Sequence, residues 1–122
     1  MIKRALISVV DDDESVRESL PDLLHEHGFS VQAFSSAEQF LASDFVDVTD
    51  CLILDVLMPG MTGPTLQTVL CKRAPTIPII FITAIEDAVS RQRLLKLGAV
   101  DCLLKPFNDA TLRGAIDRAL RR

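Results

Sequence analysis

The feature of this sequence that most restricts its fold is a set of five short apolar runs, at residues 5–10, 30–34, 51–54, 77–82 and 100–104, separated by segments of helical period. Each run has the length of a strand. Most are continuous rather than alternating, as expected for strands covered on both faces. Between them, apolar residues recur three and four apart: Val16, Leu20, Leu23 and Leu24; Phe40 and Leu41; Leu66, Val69 and Leu70; the stretch 89–97; and Leu112, Ala115, Ile116 and Ala119. Five strands alternating with five helices, joined by right-handed crossovers, predict an α/β fold: a doubly wound parallel sheet with helices on both sides. The 122 residues suit one domain with a real core and no need of a disulfide or metal staple. The alternation is expected to account for residues 1–122 as that domain, with no output domain in this chain.

Punctuation residues supply the expected boundaries. Ser15 with Glu18, and Ser35 with Glu38, have capping-box spacing and are expected to open the first two helices. Pro21 falls inside the first helical pattern and should kink that helix or delay its start. Gly28 and Gly98 are placed to end helices, Pro64 to begin one, and Asn108 or Asp109 to cap the last. Pro78 is tolerable only near the start of the fourth strand.

Charge is unevenly distributed. The net charge is −4, yet residues 1–61 carry a balance of −9 and residues 62–122 one of +5. A chain of this sign is not expected to bind nucleic acid directly. The apolar stretch after Lys3 and Arg4 is too short for a signal peptide, and nothing approaches the ~18 apolar residues of a membrane span. Cys51, Cys71 and Cys102 are odd in number, lie beside apolar residues and form no C-x-x-C. They are expected to be reduced and mostly buried, in a cytoplasmic setting.

In open parallel sheets, ligands bind beyond the carboxyl ends of the strands. The residues just past those ends are Asp11 and Asp12 after the first run, Asp55 after the third, Thr83 after the fourth and Lys105, then Pro106, after the fifth. Three carboxylates at one edge repel strongly, since unit charges ~4 Å apart interact by about 4 kcal/mol at an effective dielectric near ~20. Lys105 offsets one charge, and a divalent cation would offset two. Hard oxygen donors without His or Cys suit Mg²⁺ or Mn²⁺ rather than zinc.

Val10-Asp11-Asp12-Asp13, residues 54–60 (Leu-Asp-Val-Leu-Met-Pro-Gly), Phe81-Ile82-Thr83-Ala84 and Leu104-Lys105-Pro106-Phe107 together resemble the signature segments of two-component response-regulator receiver domains, in order and at the right spacing. The stretch Ser15-Val16-Arg17-Glu18-Ser19-Leu20 further resembles receivers joined to LuxR-type helix-turn-helix output domains. The resemblance implies a flavodoxin-like (βα)5 sheet of strand order 2-1-3-4-5. It implies that Asp55 is the phosphoacceptor for a sensor histidine kinase. Asp12, Asp55 and the backbone carbonyl of Leu57 would hold Mg²⁺, with Asp11 acting through water. Lys105 and Thr83 would contact phosphoryl oxygens, and the Lys105-Pro106 bond would be cis. Phosphoryl transfer needs positioning and charge neutralisation more than a strong acid or base, which agrees with this residue set.

Departures and alternatives remain. The family commonly has an aromatic residue at the switch position three before the lysine, and here it is Cys102. A small thiol cannot act as a rotating ring. Leu57 and Ile85, two residues beyond Asp55 and Thr83, are apolar and are expected to shield an acyl phosphate from water. Arg91, Arg93, Lys96, Asp101, Arg113, Asp117 and Arg118 give the helix 4–strand 5–helix 5 face mixed charge suited to a homodimer, against the plainer reading of a solvated surface. Asp13 and Glu14 read as helix-capping acids, and His25 and His27 as surface residues at a helix end. A DNA-binding output would lie beyond Arg122 or on another chain. The rival readings are a small aspartate-nucleophile phosphatase, since Asp11-x-Asp13 with a later Thr and Lys loosely resembles haloacid-dehalogenase-type enzymes, and a pseudo-receiver that binds without phosphorylation.

Overall fold

The computed structural model describes residues 4–121. Strands β1 (Leu6–Val10), β2 (Ser30–Phe34), β3 (Cys51–Asp55), β4 (Ile79–Thr83) and β5 (Asp101–Leu104) alternate with helices α1 (Glu14–Glu26), α2 (Ala37–Leu41), α3 (Gly63–Arg73), α4 (Ala88–Lys96) and α5 (Asp109–Leu120). All strand pairs are parallel, in the order β2-β1-β3-β4-β5. A 3-10 turn at Val46–Val48, which the sequence does not signal, follows the short α2.

Side-chain alternation divides the core in two. Ile7, Val9, Cys51, Ile53, Ile80, Ile82 and Leu103 pack with Leu20 and Leu24 of α1 and Leu112, Ala115, Ile116 and Ala119 of α5. Val10, Leu52, Leu54, Phe81 and Cys102 point the other way, toward Phe40 of α2, Leu66 and Leu70 of α3 and Leu94 of α4. By the same period, Asp55 continues the row of Cys51 and Ile53, while Thr83 continues that of Ile79 and Phe81. Strands are added to one side of β1 and then, from β3 on, to the other, so the gap between β1 and β3 is the topological switch point of the sheet.

Several boundaries differ from expectation for local reasons. The N-cap of α1 is Asp13, whose carboxylate accepts from the Ser15 amide at 2.9 Å and from the Ser15 hydroxyl at 2.8 Å. Helix α1 therefore starts two residues before the expected Ser15–Glu18 box would open it. These bonds hold the Asp13 carboxyl below its usual range. Helix α1 starts without delay and runs through Pro21, whose missing N–H leaves the Arg17 carbonyl without its helical donor. In α2 the cap lies one residue later than expected. Ser36 accepts from Gln39 N, and Gln39 Oε1 accepts from Ser35 N, leaving Glu38 free for another contact. Asn108 caps α5, Pro64 sits in the first turn of α3, and Pro78 precedes β4.

Among the cysteines, Cys51 and Cys102 are buried and Cys71 is exposed on α3, which corrects the expectation for that residue. Burial pushes the Cys51 thiol up to about 12. His25 is exposed as expected. His27 is not a free surface residue: its ring bonds Asp109 at the start of α5 at 2.7 Å. Among the described residues, no helix is long and apolar enough to cross a membrane.

Candidate functional site

The carboxyl ends of β1, β3, β4 and β5 share one edge, and the polar residues beyond them meet there. Carboxylate oxygens of Asp11, Asp12 and Asp55 lie within 4.8 Å of one another, the first and last buried and Asp12 exposed. Lys105 Nζ donates to Asp11 Oδ2 at 2.8 Å and lies 3.8 Å from Asp55 Oδ1. Asp11 is fully engaged: its Oδ1 accepts the Asp13 amide at 3.0 Å, and Arg17 Nη1 donates to its backbone carbonyl at 3.0 Å. Asp55, only 6% exposed, has no such set of donors.

The electrostatics follow from this packing. Burial, then the charge of Asp11, pushes the Asp55 carboxyl up to about 7, against the opposing pull of Lys105. Burial alone would lower the Lys105 ammonium. The hydrogen bond and charge of Asp11, with the charge of Asp55, outweigh it and hold the group above its ordinary value. A carboxylate so costly to ionise invites a second cation. The clustered oxygens, with no nitrogen or sulfur donor among them, fit a hard divalent ion.

Thr83 lies one residue past the level at which Asp55 pairs with Ile82. Its carbonyl accepts the Lys105 amide at 2.7 Å, and its hydroxyl accepts the Ile85 amide at 3.1 Å. The Lys105-Pro106 bond is cis. Behind Asp55, the first turn of α3 approaches so closely that a Cβ on Gly63 would lie 2.3 Å from the Asp55 carbonyl oxygen, so only glycine fits. Sequence reasoning did not single out Gly63 or Arg17. The Gly63-Pro64 pair marked a helix start, not a close approach.

Leu57 and Ile85 stand exposed beside the site, at 57% and 55%. With Val56, Thr83, Leu94, Cys102 and Leu104 they line a mainly apolar cleft of about 370 Å³ under α4. Cys102 has a basic neighbour in space that the sequence does not reveal. Arg91 Nε donates to its carbonyl at 3.2 Å, yet burial still raises the thiol. On the neighbouring face, Arg91 and Arg118 both pair with Asp101 within the chain. Arg93, Lys96, Arg113 and Asp117 are exposed.

A model of the response regulator receiver domain matches residues 7–117. The chain belongs to the response regulator receiver domain family. It is 46% identical over 119 residues to Nodulation protein W of Bradyrhizobium diazoefficiens, covering 98% of this chain and 52% of that protein. It is 42% identical over 119 residues to the response regulator protein TodT of Pseudomonas putida, with the same coverage. The chain thus spans about half the length of these curated relatives. Among solved structures, FixJ-N is similar at 37% identity and a TM-score of 0.87, covering 99% of this chain and 97% of that one. The response regulator StyR is similar at 42% identity and a TM-score of 0.86, covering 98% and 60%. The five-stranded 2-1-3-4-5 receiver fold and its place in two-component response regulators, which act as phosphorylation-dependent switches, are therefore established.

Proposed function

We propose that Asp55 is the phosphoacceptor and that a sensor histidine kinase supplies the phosphoryl group. The observation that carries this reading is the meeting of Asp11, Asp12, Asp55 and Lys105 at one sheet edge. An Asp55 carboxylate oxygen attacks the phosphorus of a phosphohistidine. The new P–O bond forms as the P–N bond breaks, and the electron pair stays on the imidazole nitrogen, which takes up a proton. Lys105 faces one phosphoryl oxygen and the Thr83 hydroxyl another. Asp12, Asp55 and the Leu57 backbone carbonyl would hold Mg²⁺ or Mn²⁺, with Asp11 acting through water. When bound, the ion neutralises carboxylate charge and stabilises charge on the transferring group.

Asp11 is a poor candidate for the nucleophile, because both its oxygens are already bonded and it is fully buried. This weighs against the phosphatase reading. The convergence of the whole residue set weighs against a pseudo-receiver. The exposed apolar residues Val89, Leu97 and Leu104 beside the Arg91–Asp101–Arg118 cluster support a homodimer through the α4–β5–α5 face. An attached DNA-binding output domain, as in a longer regulator, completes the reading, with a cytoplasmic setting.

Intact-mass measurement after acetyl phosphate with Mg²⁺ tests the core of this. One added phosphoryl group is expected, lost in Asp55→Asn and kept in Asp11→Asn at reduced rate. No gain on folded protein would favour the pseudo-receiver. Turnover of a phosphomonoester that survives Asp55→Asn would favour the phosphatase. In the same assay, Leu57→Asn with Ile85→Glu is expected to shorten the phosphoryl half-life severalfold by admitting water, and an unchanged or longer half-life refutes the shielding role.

A further inference from the structure

The segment joining β3 to α3 is held at three places. At its start, Val56 N donates to the Ile82 carbonyl and Gly63 N donates back to the Val56 carbonyl, both at 3.0 Å. In its middle, Met58 is buried in the core cluster on the α2, α3 and α4 side of the sheet. At its far end, Met61 N donates to Glu38 Oε2 at 3.2 Å. This last tie comes from another helix. Glu38 can make it because Ser36 and Gln39 already cap α2. Gly60 makes room for it: its φ is +75°, and a Cβ there would lie 2.7 Å from Glu38 Oε2. Between these anchors stands Leu57, whose side chain faces solvent.

We propose that Glu38 is a positioning residue for the cation site, anchoring the loop so that the Leu57 carbonyl is held in place for the ion. The inference rests on the assignment of the acidic cluster as a divalent-cation site. A loop free at Met61 must be ordered when the ion binds, and that cost weakens affinity. A loop already tied by a hydrogen bond avoids it. Partners that bond a metal ligand directly are worth about 10–100-fold in affinity. Glu38 acts one step further out, so a loss of about 3- to 10-fold is expected.

The test is calorimetric titration of the full chain with MgCl₂ alone, comparing wild type, Glu38→Ala and Glu38→Gln. Glu38 is exposed, so both variants should melt within a few degrees of wild type. Glu38→Ala should raise the Mg²⁺ Kd about 3- to 10-fold. It should also speed hydrogen exchange at the Met61 amide while leaving the β3 amides unchanged. Glu38→Gln keeps an acceptor oxygen and should bind Mg²⁺ within about twofold of wild type, which separates anchoring from loss of charge. An unchanged Kd in Glu38→Ala, or a Glu38→Gln as weak as Glu38→Ala, overturns the positioning role and leaves the cation site standing. Wild type that gives neither binding heat nor a Mg²⁺-dependent rise in melting temperature overturns the cation site and this role with it.

Discussion

Helices α4 and α5, nine and twelve residues long, cover opposite faces of the β4–β5 side of the sheet, but they are attached in different ways. Helix α5 buries Leu112, Ala115, Ile116 and Ala119, at the i, i+3, i+4, i+7 spacing of an amphipathic helix. Helix α4 buries Leu94 alone and leaves Val89 69% and its C-cap Leu97 56% exposed. Polar ties supply much of its attachment: the Asp87 cap, Arg91 to the Cys102 carbonyl, Arg91 to Asp101, and a long contact from Gln67 Nε2 to the Leu97 carbonyl. Burying one Leu is worth about 1.5–3 kcal/mol, and exposed ion pairs contribute well under that. A mainly apolar cleft also runs under α4. One helix belongs to the scaffold, and the other rests on it beside Thr83.

That contrast can be broken by measurement. Leu112→Ala should cost about 3–4 kcal/mol and lower the melting temperature by roughly 10 °C or more, because the site is enclosed on all sides. Leu94→Ala should cost about 2 kcal/mol, the low end of the range, because α4 can settle into the cleft beside it. Equal losses from the two substitutions would show that α4 is as firmly seated as α5. Native-state hydrogen exchange gives a finer test. Amides of α4 should exchange through local opening, at rates that rise further in Asp101→Asn, while those of α5 exchange only with global unfolding. At the small end, Val89→Ser should change stability by no more than ~0.5 kcal/mol.

Asp55 offers a separate handle, at the carboxyl edge of the sheet. Its carboxyl sits at about 7 in the folded chain against an ordinary value of 3.8. Without metal, the folded state holds this proton more tightly than the unfolded chain does. The stabilisation is complete below about pH 4 and is lost as pH rises toward and through 7. Asp55→Asn should abolish that decline and raise the metal-free melting temperature by a few degrees at pH 7.5. Saturating Mg²⁺ should flatten the wild-type decline in the same way. A wild-type profile that rises from pH 5 to 7.5 contradicts the assignment.

Much of this was readable from the chain. A continuous apolar run has few alternatives to a covered strand, and the residue ending it is placed at the sheet edge by topology. The sequence alone therefore places Asp11, Asp55, Thr83 and Lys105. The caps were harder. A Ser followed three residues later by Glu fits many helix starts, and the true cap is whichever residue is last to keep extended dihedrals. At α1 that is Asp13, because β1 ends early enough to leave it there. Contacts between distant elements leave no local pattern at all. The His27–Asp109 pair, the Arg91 tie to β5, the closeness of Gly63 to Asp55 and the reach of Glu38 to Met61 each depend on how separate elements are packed together.

The two-row division of the sheet has a consequence for how a local event is registered. Asp55 lies in the row that faces α1 and α5, and Thr83 in the row that faces α4. The sheet is a partition between two compartments, and its carboxyl edge is where they open onto each other. Lys105 straddles that opening: its ammonium reaches Asp11 and Asp55, while its amide is bonded to Thr83. A charge gained at Asp55 would therefore bear, through Lys105, on the strand end that carries Thr83 and borders the cleft under α4.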